Sequence, residues 1–141
     1  MPISAYFNDD FITLDELYDS CGVPGDCNQG MECEGKFVLV KGYINYVNVQ
    51  DKRKYYWLPY GKFLIYNVER NINVEVWVDS DDAEKIFNRI EKHRDNPNDP
   101  VYIKGRMVGV DLPFVGGCHR DLLIYLSETE AIFFGSDIYN L

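Results

Sequence analysis

At 141 residues the chain has the length of one domain, enough to bury roughly two-thirds of its unfolded surface. Hydrophobic residues at 46% and charged residues at 26% exclude disordered and collagen-like chains, and no apolar run reaches the roughly 18 residues of a membrane span. The net charge of -9 is unevenly placed, because residues 1–35 carry eight acids and no Lys or Arg, leaving 36–141 nearly neutral. A uniformly acidic surface repels nucleic acid, whereas a neutral body can still carry a local basic patch.

Residues 1–10 show no basic leader and no apolar core, so no signal peptide is expected in this chain and it reads as soluble. Ile12, Leu14, Leu17 and Tyr18 surround Thr13 and Glu16, a capping-box pair, and predict a short helix over 13–20. Cys21, Cys27 and Cys33 follow in a Gly- and Pro-punctuated segment. Their C-x5-C-x5-C spacing differs from the close ligand pairs of zinc sites, even with Cys118 or His119 as a fourth ligand. Disulfides among Cys21, Cys27, Cys33 and Cys118 are expected, with unpaired thiols of a reducing compartment as the alternative. Paired cysteines would favour export to a periplasm or cell envelope.

Val38, Val40, Ile44 and Tyr46 alternate along a first strand over 37–47, interrupted at Gly42, where a strand bends. A polar, basic and aromatic stretch over 49–61 leads to a second strand at 62–67. A third runs over 72–78, where Ile72, Val74, Val76 and Val78 alternate with Asn73, Glu75 and Trp77. A helix over about 80–93 follows, capped by Asp79 or Ser80, with Ala83, Ile86, Phe87 and Ile90 facing a core. Pro97 and Pro100 stop it. A fourth strand is expected over 101–110 and a fifth over 121–126, with 131–134 extending the sheet or covering its end. The expected shared core is Val40, Ile44, Val74, Val76, Ile86, Phe87, Ile90, Ile103, Met107 and Ile124.

Val38-Leu39-Val40-Lys41-Gly42-Tyr43-Ile44 is echoed by Val101-Tyr102-Ile103-Lys104-Gly105-Arg106-Met107. Two strands bent at a mid-strand Gly are what closing a small barrel requires. Three strands, a helix and two strands match a mostly β, five-stranded Greek-key OB-fold barrel with its helix between strands 3 and 4. That gives two parts, an acidic, Cys-rich extension over 1–35 and a barrel over 36–141.

These strand cores and the connecting helix, over roughly 36–134, resemble the tRNA anti-codon-like OB-fold proteins, many of them exported proteins or lipoproteins of Gram-negative bacteria. The resemblance implies nucleic-acid binding. The Cys-rich segment lies outside that pattern.

Lys52, Arg53, Lys54, Tyr55, Tyr56 and Trp57 combine cations for phosphates with stacking faces for unpaired bases, in a loop that OB-folds use for ligands. Trp77 points away from the valines of its strand, toward the same expected face. The segment 111–120, with Leu112, Pro113, Phe114 and Arg120, is expected as a loop beside the first one at a shared barrel mouth, its apolar residues either a partner patch or a core cap. His93 reads as a solvated helix-end histidine, and Cys118 and His119, adjacent on a strand, point opposite ways. Without a phosphate loop, a His-rich metal motif or a nucleophile elbow, no enzyme, metal or cofactor is expected. The expected function is weak, non-catalytic binding of single-stranded nucleic acid, opposed by the acidic 1–35 segment. The alternative is a protein- or glycan-interaction module of the cell envelope.

Overall fold

The computed structural model describes residues 11–21, 33–52, 60–79, 82–126 and 131–139. In chain order the elements are β1 (Ile12–Thr13), α1 (Leu14–Cys21), β2 (Phe37–Gln50), β3 (Gly61–Tyr66) and β4 (Asn73–Val78). They continue with α2 (Ala83–Lys92), β5 (Val101–Phe114), β6 (Gly117–Leu126), β7 (Ile132–Phe134) and α3 (Gly135–Tyr139). The molecule is mostly β, and the seven described strands form one sheet.

Alternation decides which face each strand turns inward. Val74, Val76 and Val78 of β4 are buried with Phe63 and Ile65 of β3, Ile124 and Leu126 of β6, Ile103 and Met107 of β5, and Val40 and Ile44 of β2. Each expected core residue belongs to this one cluster. The sheet curls until β2 also pairs with β5, so β2, β3, β4, β6 and β5 close a ring of five strands. Within it β4 and β6 are parallel and the other four pairs antiparallel.

The two echoed segments are partners. Val38 lies opposite Gly105, Val40 opposite Ile103, and Gly42 opposite Val101, so each glycine faces a valine. At Gly105 a Cβ would run into the Ile124 side chain and the Tyr125 carbonyl, 2.9 Å from its oxygen. The missing side chain is what lets β5 and β6 approach there.

A helix covers each end. Ala83, Ile86, Phe87 and Ile90 of α2 are buried at the end where β3 begins, with the Phe87 ring edge-on to Phe63 at 6.4 Å. The helix starts later than its capping pattern suggests, with Asp82 as N-cap and no side-chain cap bond. At the other end sits α1, where the Tyr18 hydroxyl donates to the Asn73 carbonyl at 3.2 Å. Its start is the expected one, since the Glu16 N–H donates to Thr13 Oγ1 at 3.2 Å. Leu14 and Leu17 are fully buried in the ring's own core. The first helix therefore plugs the ring.

The segment 111–120 is a correction. It is the outer half of the β5–β6 hairpin, paired from Asp111–Arg120 down to Phe114–Gly117 and turning at Val115 and Gly116. Polar and glycine-rich residues conceal a strand there because a two-stranded ribbon needs no buried face. Its position is also corrected. β5 runs antiparallel to β2, passes Phe37 at Arg106 and continues beyond it, so the turn lies at the end of β2 opposite Gln50. Gln50, where the 49–61 stretch leaves β2, and the turn of the 111–120 segment thus lie at opposite ends of β2.

Candidate functional site

The outer face of the ring carries a row that no single strand shows. Lys62 pairs with Trp77, Trp77 with Tyr125, Tyr125 with Arg106 and Arg106 with Phe37. Paired residues share a face, so one line crosses all five strands of the ring with cations and aromatics together. Phe37 is 70% exposed, and Trp77, Lys62 and Tyr125 are half-buried. Trp77 lies outside, opposite its valine neighbours, as its alternation predicts.

Beside this row, β2 and β3 lose register between Asn45 and Gln50, where six positions of β2 (45–50) span three of β3 (62–64). The irregularity opens a groove of about 210 Å³ lined by Asn48, Gln50, Lys62, Phe63, Leu64 and Glu75. Glu75 is its one carboxylate among the described residues. It accepts the indole N–H of Trp77 and pairs with Lys62 Nζ at 3.5 Å. The site therefore offers a stacking surface, a cation, two carboxamides and one carboxylate that fixes the first two.

Of the residues singled out in the sequence, Lys52 is exposed just beyond β2, at the Lys62 end of this face. Arg53, Lys54, Tyr55, Tyr56 and Trp57 lie outside the described residues. Phe114 ends β5 at the far end of the ring, and its side chain is likewise outside them. Arg120 sits on β6 between two carboxylates, with Nε 2.7 Å from Glu34 and Nη1 2.7 Å from Asp111. It fastens the segment after Cys33 to the hairpin. Leu112, at 46% exposure, and Pro113 do not cap the core. Lys62, Tyr125, Arg106 and Phe37 escaped the sequence reading. Alternation gives the outward side of Lys62, but the apolar run Leu122-Leu123-Ile124-Tyr125 hides that of Tyr125.

Cys21 and Cys33 form a disulfide with Cα atoms 5.2 Å apart, and Cys118 is disulfide-bonded as well. Cys27 is outside the described residues. No group of three or more metal-ligating side chains occurs among the described residues.

The expectation for His93 is also corrected. Only 15% of its side chain is exposed, and its ring stacks on Phe134 at 3.8 Å. Nδ1 lies 2.9 Å from Asp99 Oδ2 and 3.5 Å from Ser136 Oγ, and the Ser136 hydroxyl donates to Asp99 at 2.6 Å. Nε2 in turn lies 3.8 Å from Asp137 Oδ2, so the cluster pins α3 against the end of α2. Helix-end charges around His93 suggested solvent because β7 comes from a distant stretch of chain.

No protein-family model, curated protein or solved structure matches this chain. No helix among the described residues is long and apolar enough to cross a membrane.

Proposed function

We propose that this chain is a non-catalytic OB-fold binding module that holds single-stranded nucleic acid on the outer face of β3 and β4. The strand order of the ring, its parallel β4–β6 pair and the helix between β4 and β5 support the OB-fold reading. The observation that carries the ligand class is the Lys62–Trp77–Tyr125–Arg106 row. Its cations can neutralise phosphates while its rings accept bases of any sequence.

A second reading, a glycan-interaction module of the cell envelope, is favoured by Glu75. A carboxylate between Trp77 and Lys62 repels a phosphate but accepts sugar hydroxyls, and the Asn48 and Gln50 carboxamides suit the same ligand. The Cys21–Cys33 disulfide fits an exported protein.

Fluorescence anisotropy with a labelled oligonucleotide at low salt tests the first reading. Three contacts from Lys52, Arg53 and Lys54 contribute about -2 to the log–log salt slope, at roughly 0.7 per contact. Replacing all three with Ala makes the slope shallower by that amount, and Trp77→Ala weakens binding by about 1–3 kcal/mol if a base stacks there. Glu75→Gln separates the readings, because it strengthens oligonucleotide binding and weakens binding of a neutral oligosaccharide. A folded protein that binds no oligonucleotide at low salt would falsify the nucleic-acid reading.

A further inference from the structure

The turn between β3 and β4 is built around Asn67, which is 4% exposed. Its Oδ1 accepts the backbone N–H groups of Asn71 and Ile72, both at 3.0 Å. Its Nδ2 donates to Asp15 Oδ1 at 3.0 Å, tying the turn to α1. This framework holds Arg70 in the left-handed region, with φ 60°. Glycine occupies that region without steric cost, and a residue with a Cβ does not. The position nonetheless carries a long cation.

Its guanidinium lies over the Tyr66 ring, 5.0 Å from the centroid, and no carboxylate among the described residues pairs with it. Tyr66 stands directly opposite Tyr43 on β2, on the outer face that also carries Lys62 and Trp77. A pocket of about 180 Å³ opens there, lined by Tyr43, Tyr66, Asn67, Val68, Arg70 and Asn98. An arginine stacked on an aromatic ring keeps its in-plane N–H donors for an oxyanion. A second ring and a carboxamide beside it supply a stacking surface and a donor–acceptor edge. Phosphate, base face and base edge are the three features of one nucleotide.

We propose that Arg70, Tyr66 and Tyr43 form a second nucleotide pocket, so that a bound strand runs lengthwise along β3 from the groove at Lys62 and Glu75 to the β3–β4 turn. This rests on the nucleic-acid reading of the face and adds to it the course of the ligand and its second anchor. Lys62 and Tyr66 lie four positions apart on β3, roughly 14 Å at 3.4 Å per residue. A strand of several nucleotides reaches both pockets, and a very short one occupies a single pocket.

Arg70→Gly removes the guanidinium and supplies the residue that the backbone there favours, so the variant retains or gains thermal stability. Its affinity is compared with that of the unaltered chain for oligonucleotides of about three and about eight nucleotides, the longer within the span of one OB module. The expected result is about tenfold weaker binding of the longer strand, a salt slope smaller by about 0.7, and little change for the shorter one. Tyr43→Ala gives the same pattern without the change in slope.

If Arg70→Gly and Tyr43→Ala bind the longer strand as the unaltered chain does, while Trp77→Ala weakens it, the second pocket is overturned and the face reading stands. If a free nucleoside monophosphate binds in an Arg70-dependent way while strands of both lengths are indifferent to Arg70, the pocket holds a small nucleotide and the lengthwise course is overturned. If the unaltered chain binds neither strand nor nucleotide, both readings fall.

Discussion

Tyr46, on the inward-alternating side of β2, shows how packing converts an ordinary side chain into a pH-sensitive one. Burial pushes its phenol from 10.0 up to about 12, and the negative charge of Asp99 adds to the rise, with the Arg94 guanidinium opposing it. Arg94 lies over the ring at 5.3 Å and also donates to the Tyr46 carbonyl at 3.1 Å. The folded state therefore holds the phenolic proton more tightly than the unfolded chain. That stability is complete below pH 10 and is lost as pH rises through about 12. Urea midpoints measured across that window should fall less steeply for Tyr46→Phe than for the unaltered chain. Parallel curves would show that the phenol is as acidic in the folded protein as in the unfolded one.

Among the elements, β7 and α3 are joined to the ring by polar contacts as much as by their apolar residues. Asp99 is the hub. Its carboxylate accepts the Ser136 N–H at 2.9 Å and the Ser136 hydroxyl at 2.6 Å, while facing His93. Arg89 of α2 adds a hydrogen bond to the Ile132 carbonyl at 2.9 Å. Removing a buried acceptor leaves its donors unsatisfied, so Asp99→Ala should cost about 2 kcal/mol. Hydrogen exchange over 132–139 should rise in that variant while the amides of β3 and β4 stay protected. Uniform loss of protection would show that α3 unfolds only with the whole ring.

Across the whole molecule, the acidic first 35 residues do not form a removable tail. Leu14 and Leu17 are fully buried, and the disulfide joins α1 to the segment that enters β2. Deleting 1–35 to relieve charge repulsion would open the core, so it cannot report on the ligand. A bridge closing a loop of this size contributes about 3 kcal/mol, chiefly by restricting the unfolded chain. Reduction should therefore lower the urea midpoint clearly. With Cys21 joined to Cys33 and Cys118 also bonded, Cys27 is the remaining sulfur of the four. Peptide mapping without reductant should recover a Cys21–Cys33 pair and a Cys27–Cys118 pair. Free Cys27 and Cys118 thiols in the unreduced, denatured protein would refute the second bridge.

The local and periodic features of this protein are legible in its amino-acid order alone. Valines alternating in β4 set its inward face and put Trp77 outside, and Thr13 with Glu16 marked the start of α1. The 3.6-residue spacing of Ala83, Ile86, Phe87 and Ile90 marked the buried side of α2. Such signals are legible because they depend on residues a few positions apart. What meets across strands is set by the folded ring. The echoed Val-x-Val-Lys-Gly and Val-x-Ile-Lys-Gly segments became antiparallel partners, and residues from β3, β4, β6, β5 and β2 fell into one outer row. Asp99 and Ser136, 37 positions apart, became neighbours around His93. Register between distant strands follows from how the whole ring closes over its core, a cooperative result that no short window of residues contains.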